Sequence, residues 1–306
     1  MSDGIREMPD DGWTMAPSDD SYPPLARDAH EGSGFERIWG VGSAEVLSRP
    51  CVSVVGARRA TPYGLAVAEM VGRVAAESGI VVVSGGAMGV DRAAGLAAVD
   101  AGGATVVVSG CGADVVYPRS SADVFDAART QGGAVISLGS WGTQPRRYAF
   151  PKRNVLIAAL SPVLVVTEAG LPSGTMSTAV SAAELGRSVY CAPGSIFSPN
   201  SRGTNQLLYD GARPFIGETT LQDMLEDDYR LLRLSPTGSH CQERGRILSA
   251  LVASPARPDD LASRLGEGLL TILRTLSDYE SRGLVTRLAD GRYAASEASL
   301  LGHNGS

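Results

Sequence analysis

Lysine is almost missing from this 306-residue chain: Lys152 is the single one, and arginine supplies the rest of its 27 basic side chains. Histidine and cysteine are scarce too. The three histidines, His30, His240 and His303, are scattered, and the four cysteines, Cys51, Cys111, Cys191 and Cys241, lie far apart without a Cys-x-x-Cys pair. Such spacing offers neither a zinc ligand set nor a disulfide framework, so no structural metal is expected. The first three cysteines sit in or at the end of apolar runs, which fits buried thiols in a reducing cytosol. No apolar run approaches the roughly 18 residues of a membrane span. The N-terminus carries acids where a secretory leader has a basic stretch followed by an apolar one. Secretion and membrane insertion are not expected, and the location read from the sequence is cytoplasmic.

What the chain does have is an ordinary globular balance, 43% hydrophobic and 20% charged residues, enough for one large domain and a smaller one. Its net charge of -6 is unevenly spread. Residues 1–50 hold 4 basic and 10 acidic side chains, whereas residues 51–215 hold 13 basic and 10 acidic ones. A nucleic-acid surface would therefore lie in the middle of the chain.

The most basic stretch is Thr143-Gln-Pro-Arg-Arg-Tyr-Ala-Phe-Pro-Lys-Arg-Asn154, in which no acid interrupts four cations and two aromatics. Arg146, Arg147, Lys152 and Arg153 are suited to neutralising phosphates, and Tyr148 and Phe150 offer faces on which unpaired bases stack, for roughly 1–3 kcal/mol each. The competing reading is a solvated charged loop, with the two aromatics as staples holding it down. The loop runs from about residue 139 to 151, and loops of that length inside compact domains are usually functional.

Around it, short β-branched runs alternate with Ala-rich helical stretches. Strands are predicted at 51–55, 80–84, 104–109, 134–138, 162–167 and 188–191. Helices are predicted at 62–77, 90–100, 121–130, 153–160, 175–185 and 204–209. This alternation, with continuously apolar strands, predicts an α/β fold: a doubly wound, mostly parallel sheet covered on both faces. Such sheets bind ligands beyond the carboxyl ends of their strands, where helix N-termini present free N–H groups. The loops there read Gly56-Ala-Arg-Arg-Ala-Thr-Pro-Tyr-Gly64, Ser84-Gly-Gly-Ala-Met-Gly-Val-Asp91, Gly110-Cys-Gly112 and Glu168-Ala-Gly-Leu-Pro-Ser-Gly-Thr175. Any one of them is explained by turn chemistry alone; glycine recurring in all of them suits close backbone approach to a phosphate.

Thr61-Pro62 forms an N-cap and N1 pair, leaving Arg58 and Arg59 free to project. Ser173 or Thr175 either caps the following helix or holds a phosphate on the same amides. Asn154 is read as an N-cap with a second role open in contacting a base or phosphate. Asp91 is read as pairing with a neighbouring backbone or arginine, and Glu168 is the one acid to weigh for catalysis.

In order and spacing, Gly56-Ala-Arg-Arg-x-x-Pro-Tyr-Gly64, Ser84-Gly-x-Ala-x-Gly-Val-Asp91, Gly110-Cys-Gly-x-Asp-x-x-Tyr-Pro118, Phe150-Pro-Lys-Arg-Asn154, Ser173-Gly-Thr175, Ala192-Pro-Gly-Ser195 and Ser201-Arg-Gly-Thr-Asn205 resemble the DNA-processing protein A family (DprA, also called Smf). The resemblance covers roughly residues 22–215. It implies an extended Rossmann-like domain that binds single-stranded DNA and helps load a RecA-type recombinase on it during natural transformation, as a homodimer, with no cofactor and no catalytic step. The DNA site it implies uses Arg58, Arg147, Phe150, Lys152, Arg153 and the amides near Gly174; the residues of the same loops, Arg59, Ser84, Gly85, Arg146, Asn154, Ser173 and Thr175, complete the expected DNA-binding set. Two departures stand out. The segment before Tyr22 is too short for the helical SAM-like domain with which many members begin, and Met88 stands where others often carry a basic residue.

The domain reading is a disordered acidic lead-in at 1–21, the Rossmann-like domain at 22–216, a helix and linker at 217–240, a further domain at 241–295 and a frayed tail at 296–306. Helices predicted at 243–252, 258–265 and 269–281, then a hairpin over 283–294 turning at Asp290-Gly291, make up a winged helix. The charges of its candidate recognition helix nearly cancel, which favours protein contact over duplex binding. An alternative function is a nucleoside-monophosphate-cleaving enzyme similar to the cytokinin-releasing phosphoribohydrolases, acting through Glu168. Those enzymes share a Pro-Gly-Gly-x-Gly-Thr-x-x-Glu run, and here Leu171-Pro-Ser-Gly-Thr-Met-Ser-Thr178 puts a threonine at the glutamate position.

Overall fold

The computed structural model describes residues 7–29, 35–229, 246–266 and 268–296. The expected linker at 235–239, Cys241, the three histidines and the tail beyond Ser296 lie outside the described residues. The chain divides into two units, Met1–Ala60 with Val67–Arg233, and Leu234–Ser306 with Thr61–Ala66.

In chain order, up to residue 229, come β1 (Gly12–Met15), α1 (Pro24–Asp28), β2 (Ile38–Gly42), β3 (Cys51–Val55), α2 (Pro62–Glu77), β4 (Val81–Ser84), α3 (Val90–Asp100), β5 (Thr105–Ser109), α4 (Ala122–Thr130), β6 (Ala134–Ser137), α5 (Ala149–Ala159), β7 (Val163–Val166), α6 (Gly174–Glu184), β8 (Ser188–Cys191), α7 (Arg202–Tyr209), β9 (Arg213–Pro214) and α8 (Glu218–Tyr229). These strands form one nine-stranded sheet in the order β1-β2-β6-β5-β4-β3-β7-β8-β9. From β6 to β9 every pairing is parallel; β2 joins β6, and β1 joins β2, antiparallel. The chain steps one way through β3, β4, β5 and β6 and the other way through β7, β8 and β9. The topological switch point, and with it the ligand crevice of such sheets, therefore falls between β3 and β7.

Burial follows the two-residue period of strands. Cys51, Val55, Val81, Val83, Leu164 and Val166 pack on one face with Leu156 and Ile157 of α5. Val52, Val54, Val82, Val163 and Val165 pack on the other with Val71 of α2 and Val90 and Ala94 of α3. Both faces of β3, β4 and β7 are thus covered, which is why these strands read as unbroken apolar runs rather than alternating ones. The one polar residue inside β3, Ser53, is fully buried and satisfied: its Oγ donates to the Ile157 carbonyl (2.6 Å) and its N–H to the Ser161 Oγ (3.0 Å).

Two expectations are corrected. The lead-in read as disordered contains β1, whose Trp13 indole lies over Gly40 of β2, where a Cβ would stand 2.3 Å from the ring, and donates to the Gly42 carbonyl (2.9 Å). The helix expected to begin at Arg153 begins at Ala149, so Asn154 lies inside α5 rather than capping it. Pro151 is its third residue, within the first turn, where no intrahelical N–H is required.

The second unit comprises α9 (Arg246–Ala253), α10 (Pro258–Leu265), α11 (Leu269–Ser281) and a hairpin of β10 (Val285–Arg287) and β11 (Tyr293–Ala295). Leu248, Leu251, Leu261, Ile272, Leu276 and Val285 share one core. Among the described residues no helix is long and apolar enough to cross a membrane.

Candidate nucleic-acid interface

At the switch point the two loops are stitched together. The Thr175 hydroxyl donates to the Gly56 carbonyl (3.1 Å), and Ala57 N–H donates to the Glu168 carbonyl (2.8 Å). Gly56 has no room for a side chain, since a Cβ would lie 2.6 Å from Val90. Ser173 caps α6 by accepting from Thr175 N–H (3.1 Å), and Thr61 caps α2 by accepting from Gly64 N–H (3.2 Å). Gly174, at the first position of α6, is exposed.

Next to this seam, the first turn of α5 is laid over two strand ends, and each contact is made across a glycine. Phe150 packs on Gly110 after β5, where a Cβ would be 2.6 Å from the ring. Arg153, one helical turn on, crosses Gly85 after β4, where a Cβ would be 1.5 Å from its Nη1. The Arg58 and Arg153 guanidinium carbons stand 5.8 and 5.7 Å from the Phe150 ring centre, and the Tyr117 ring centre is 6.0 Å from it. Two cations around one half-buried ring hold it in place by attraction to its quadrupole.

Where Arg153 crosses Gly85 it meets a buried acid. Asp91, in the first turn of α3, accepts from Gly85 N–H (3.1 Å) and Ala87 N–H (3.3 Å). Burial pushes its carboxyl above the usual carboxylate range, opposed first by the charge of Arg153 and then by the Ala87 N–H. Arg153 is 6% exposed, and burial pulls its guanidinium down while Asp91 supports it. Burial also pushes up the Cys111 thiol, opposed by its contact with the Ser109 hydroxyl at 3.1 Å.

The basic loop is anchored before its cations begin. Trp141 is buried and meets Trp39 edge to face at 5.3 Å, Gly142 N–H donates to Asp114 (2.8 Å), and Gly112 N–H donates to the Thr143 carbonyl (2.8 Å). Trp141, rather than either aromatic singled out from the sequence, is therefore the loop's staple. Tyr148 is 69% exposed and accepts from Arg146 (3.2 Å).

The residues predicted from the sequence sort into two sets. Arg58, Arg59, Arg146, Arg147, Lys152 and Gly174 are exposed, and Phe150 and Ser173 are half-buried. Asn154 is half-buried and donates to the Ser177 Oγ (3.3 Å), joining α5 to α6. Ser84, Gly85, Arg153 and Thr175 are buried, and the Ser84 hydroxyl donates to the Val54 carbonyl (2.7 Å). Arg58, Gly85, Phe150 and Arg153 are brought together; Ser173, Gly174 and Thr175 are tied in through Gly56. Reasoning from the sequence assigned no part at the Phe150 ring to Tyr117, Gly110 or Asp91. The spacing of Gly110 and Tyr117 was visible, but its target was not. Glu168 is 2% exposed, as is Thr178.

Together the sheet and its rim define a class: a doubly wound α/β protein whose switch-point crevice is bordered by arginines, aromatic rings and helix N-termini. The chain belongs to the DNA recombination-mediator protein A family, whose model matches residues 13–227 and so takes in β1 from Trp13 on, ahead of residue 22 where the resemblance begins. The putative DNA processing protein DprA of Mycobacterium tuberculosis (strain H37Rv) is 39% identical over 213 residues, which cover 66% of this chain and 54% of that protein. The chain thus spans about half the length of that relative. Protein Smf of Escherichia coli K12 is 30% identical over 288 residues, 90% of this chain and 76% of that one. Among solved structures, DNA processing protein A of Streptococcus pneumoniae superposes with a TM-score of 0.65 at 32% identity, covering 72% of this chain and 75% of that one. The Helicobacter pylori protein, described for its single-stranded DNA binding mode, gives 0.62 at 30% identity, covering 71% of this chain and 96% of that one.

Proposed function

We propose that this chain binds single-stranded DNA along the carboxyl rim of its sheet and acts, without a catalytic step, as a recombination mediator that hands the strand to a RecA-type recombinase during transformation. The observation that carries the reading is the meeting of Arg58, from the loop after β3, with Phe150, from the first turn of α5, beside the switch point, with Arg147 and Lys152 exposed on the segment that carries Phe150. Cations supply the salt-dependent phosphate term and the ring a stacking face indifferent to base identity. Family membership, and the single-stranded DNA binding described for the Helicobacter pylori relative, support it.

In this reading the chain works as a cytoplasmic homodimer. The three helices and hairpin of the second unit are a winged helix that contacts protein rather than duplex: α11 exposes Leu269, Leu270 and Leu273, which offer phosphates nothing. The phosphoribohydrolase alternative loses support, because Glu168 is buried and Thr178 stands at the glutamate position. No base release from AMP is expected.

Titration of labelled oligo-dT by fluorescence polarisation tests the reading. The expected result is an affinity that falls steadily as salt rises and that exceeds the affinity for duplex. Binding indifferent to salt, or a preference for duplex, sinks it.

A further inference from the structure

We infer that Arg153 does not contact the DNA backbone but is a positioning residue, whose charge is given to Asp91 so that Phe150 is held at the stacking angle. The inference rests on the single-strand reading above and names the internal support of that site. Of the cations in the basic segment, Arg153 is the one that is buried, at 6% exposed, and its Nε has no hydrogen-bond partner. Its Nη1 and the Asp91 Oδ2 approach the same point above Gly85, 1.5 and 2.7 Å from where a Cβ would stand. Asp91 is itself fixed by the Gly85 and Ala87 N–H groups, so the Arg153 charge on α5 faces a carboxylate held in place by the loop that opens α3. The Phe150 ring lies against this guanidinium, its centre 5.7 Å from the Arg153 Cζ. Reaching a phosphate would require Arg153 to leave a buried carboxylate with only the Gly85 and Ala87 N–H groups to offset its charge, a costly exchange when Lys152 and Arg147 are already exposed in the same segment.

Two roles for Arg153 predict opposite signs for Asp91→Asn, which makes the test decisive. Polarisation titrations of oligo-dT over a salt series are made with the full chain and with Arg153→Gln, Asp91→Asn and the double variant, near-UV circular dichroism serving as the check on folding. As a support, Arg153→Gln lowers affinity by about tenfold, the stacking of one base, and leaves the slope of log K against log salt unchanged. Asp91→Asn weakens binding as well, and the double variant is no worse than Arg153→Gln alone. If Arg153 contacted a phosphate, Arg153→Gln would lower the slope by about 0.7, and Asp91→Asn would free the arginine and tighten binding. Either result overturns the inference. Should Arg153→Gln fail to fold, the sign for Asp91→Asn decides alone. Failure of the unaltered chain to bind oligo-dT instead overturns the single-strand reading.

Discussion

The Thr175 hydroxyl reaches 3.1 Å across the switch point to the carbonyl of Gly56, joining the loop after β3 to the helix after β7. Both residues are buried, so neither group can turn to water when the other is lost. Thr175→Val keeps the shape but strands the Gly56 carbonyl, and a loss of about 1–3 kcal/mol is expected. A urea titration reads this as a lower midpoint, with Thr175→Ser close to the unaltered chain.

Lys152 is exposed in the turn that carries Phe150. Lys152→Ala is expected to weaken oligonucleotides of every sequence alike and to lower the salt slope by about 0.7, one phosphate fewer. Polarisation titrations over a salt series check it, and an unchanged slope would place Lys152 off the strand.

Gly110→Ala tests the ring without altering a charge. Its Cβ would stand 2.6 Å from Phe150 and displace it. Affinity is expected to fall by about tenfold with the salt slope intact, and the unfolding midpoint to drop by the equivalent of about 1–3 kcal/mol of strain.

Acid should loosen the β1 edge. The Arg129 guanidinium grips Asp11 through Nε and Nη2 (2.6 and 2.5 Å) and holds its carboxyl below the ordinary 3.8, with modest burial opposing. Because the folded-state value is the lower one, the contribution is complete above pH 3.8 and is lost as pH falls through the folded value. Asp11→Asn should remove that part of the acid dependence while changing neutral stability little, since exposed pairs contribute little. Unfolding midpoints at pH 7 and pH 3 separate the two.

The sheet's centre was legible because its strands are buried on both faces. Residues 51–55 and 188–191 were placed to the residue, and α2, α3, α10 and α11 at both ends. The antiparallel edge was not. Gly12–Met15 follows Asp and Pro residues, and Ile38–Gly42 carries two glycines, so neither shows the period of a strand. Pro151 hid the start of α5 because proline is read as a loop residue, although a first helical turn accepts it. At the site, the basic loop was singled out by its residue types, and Arg147 and Lys152 are exposed there. The burial of Arg153 was illegible, since it depends on Gly85 and Asp91 converging from 60 and more positions away.

Lys152 and Arg153 are consecutive, yet one looks to solvent and the other is enclosed. Each step along a helix turns by about 100°, so losing one residue between Phe150 and Arg153 would exchange the inward cation for an outward one. Length variation in this segment should therefore accumulate before the helix, between Gly142 and Tyr148, and stay out of its opening turn.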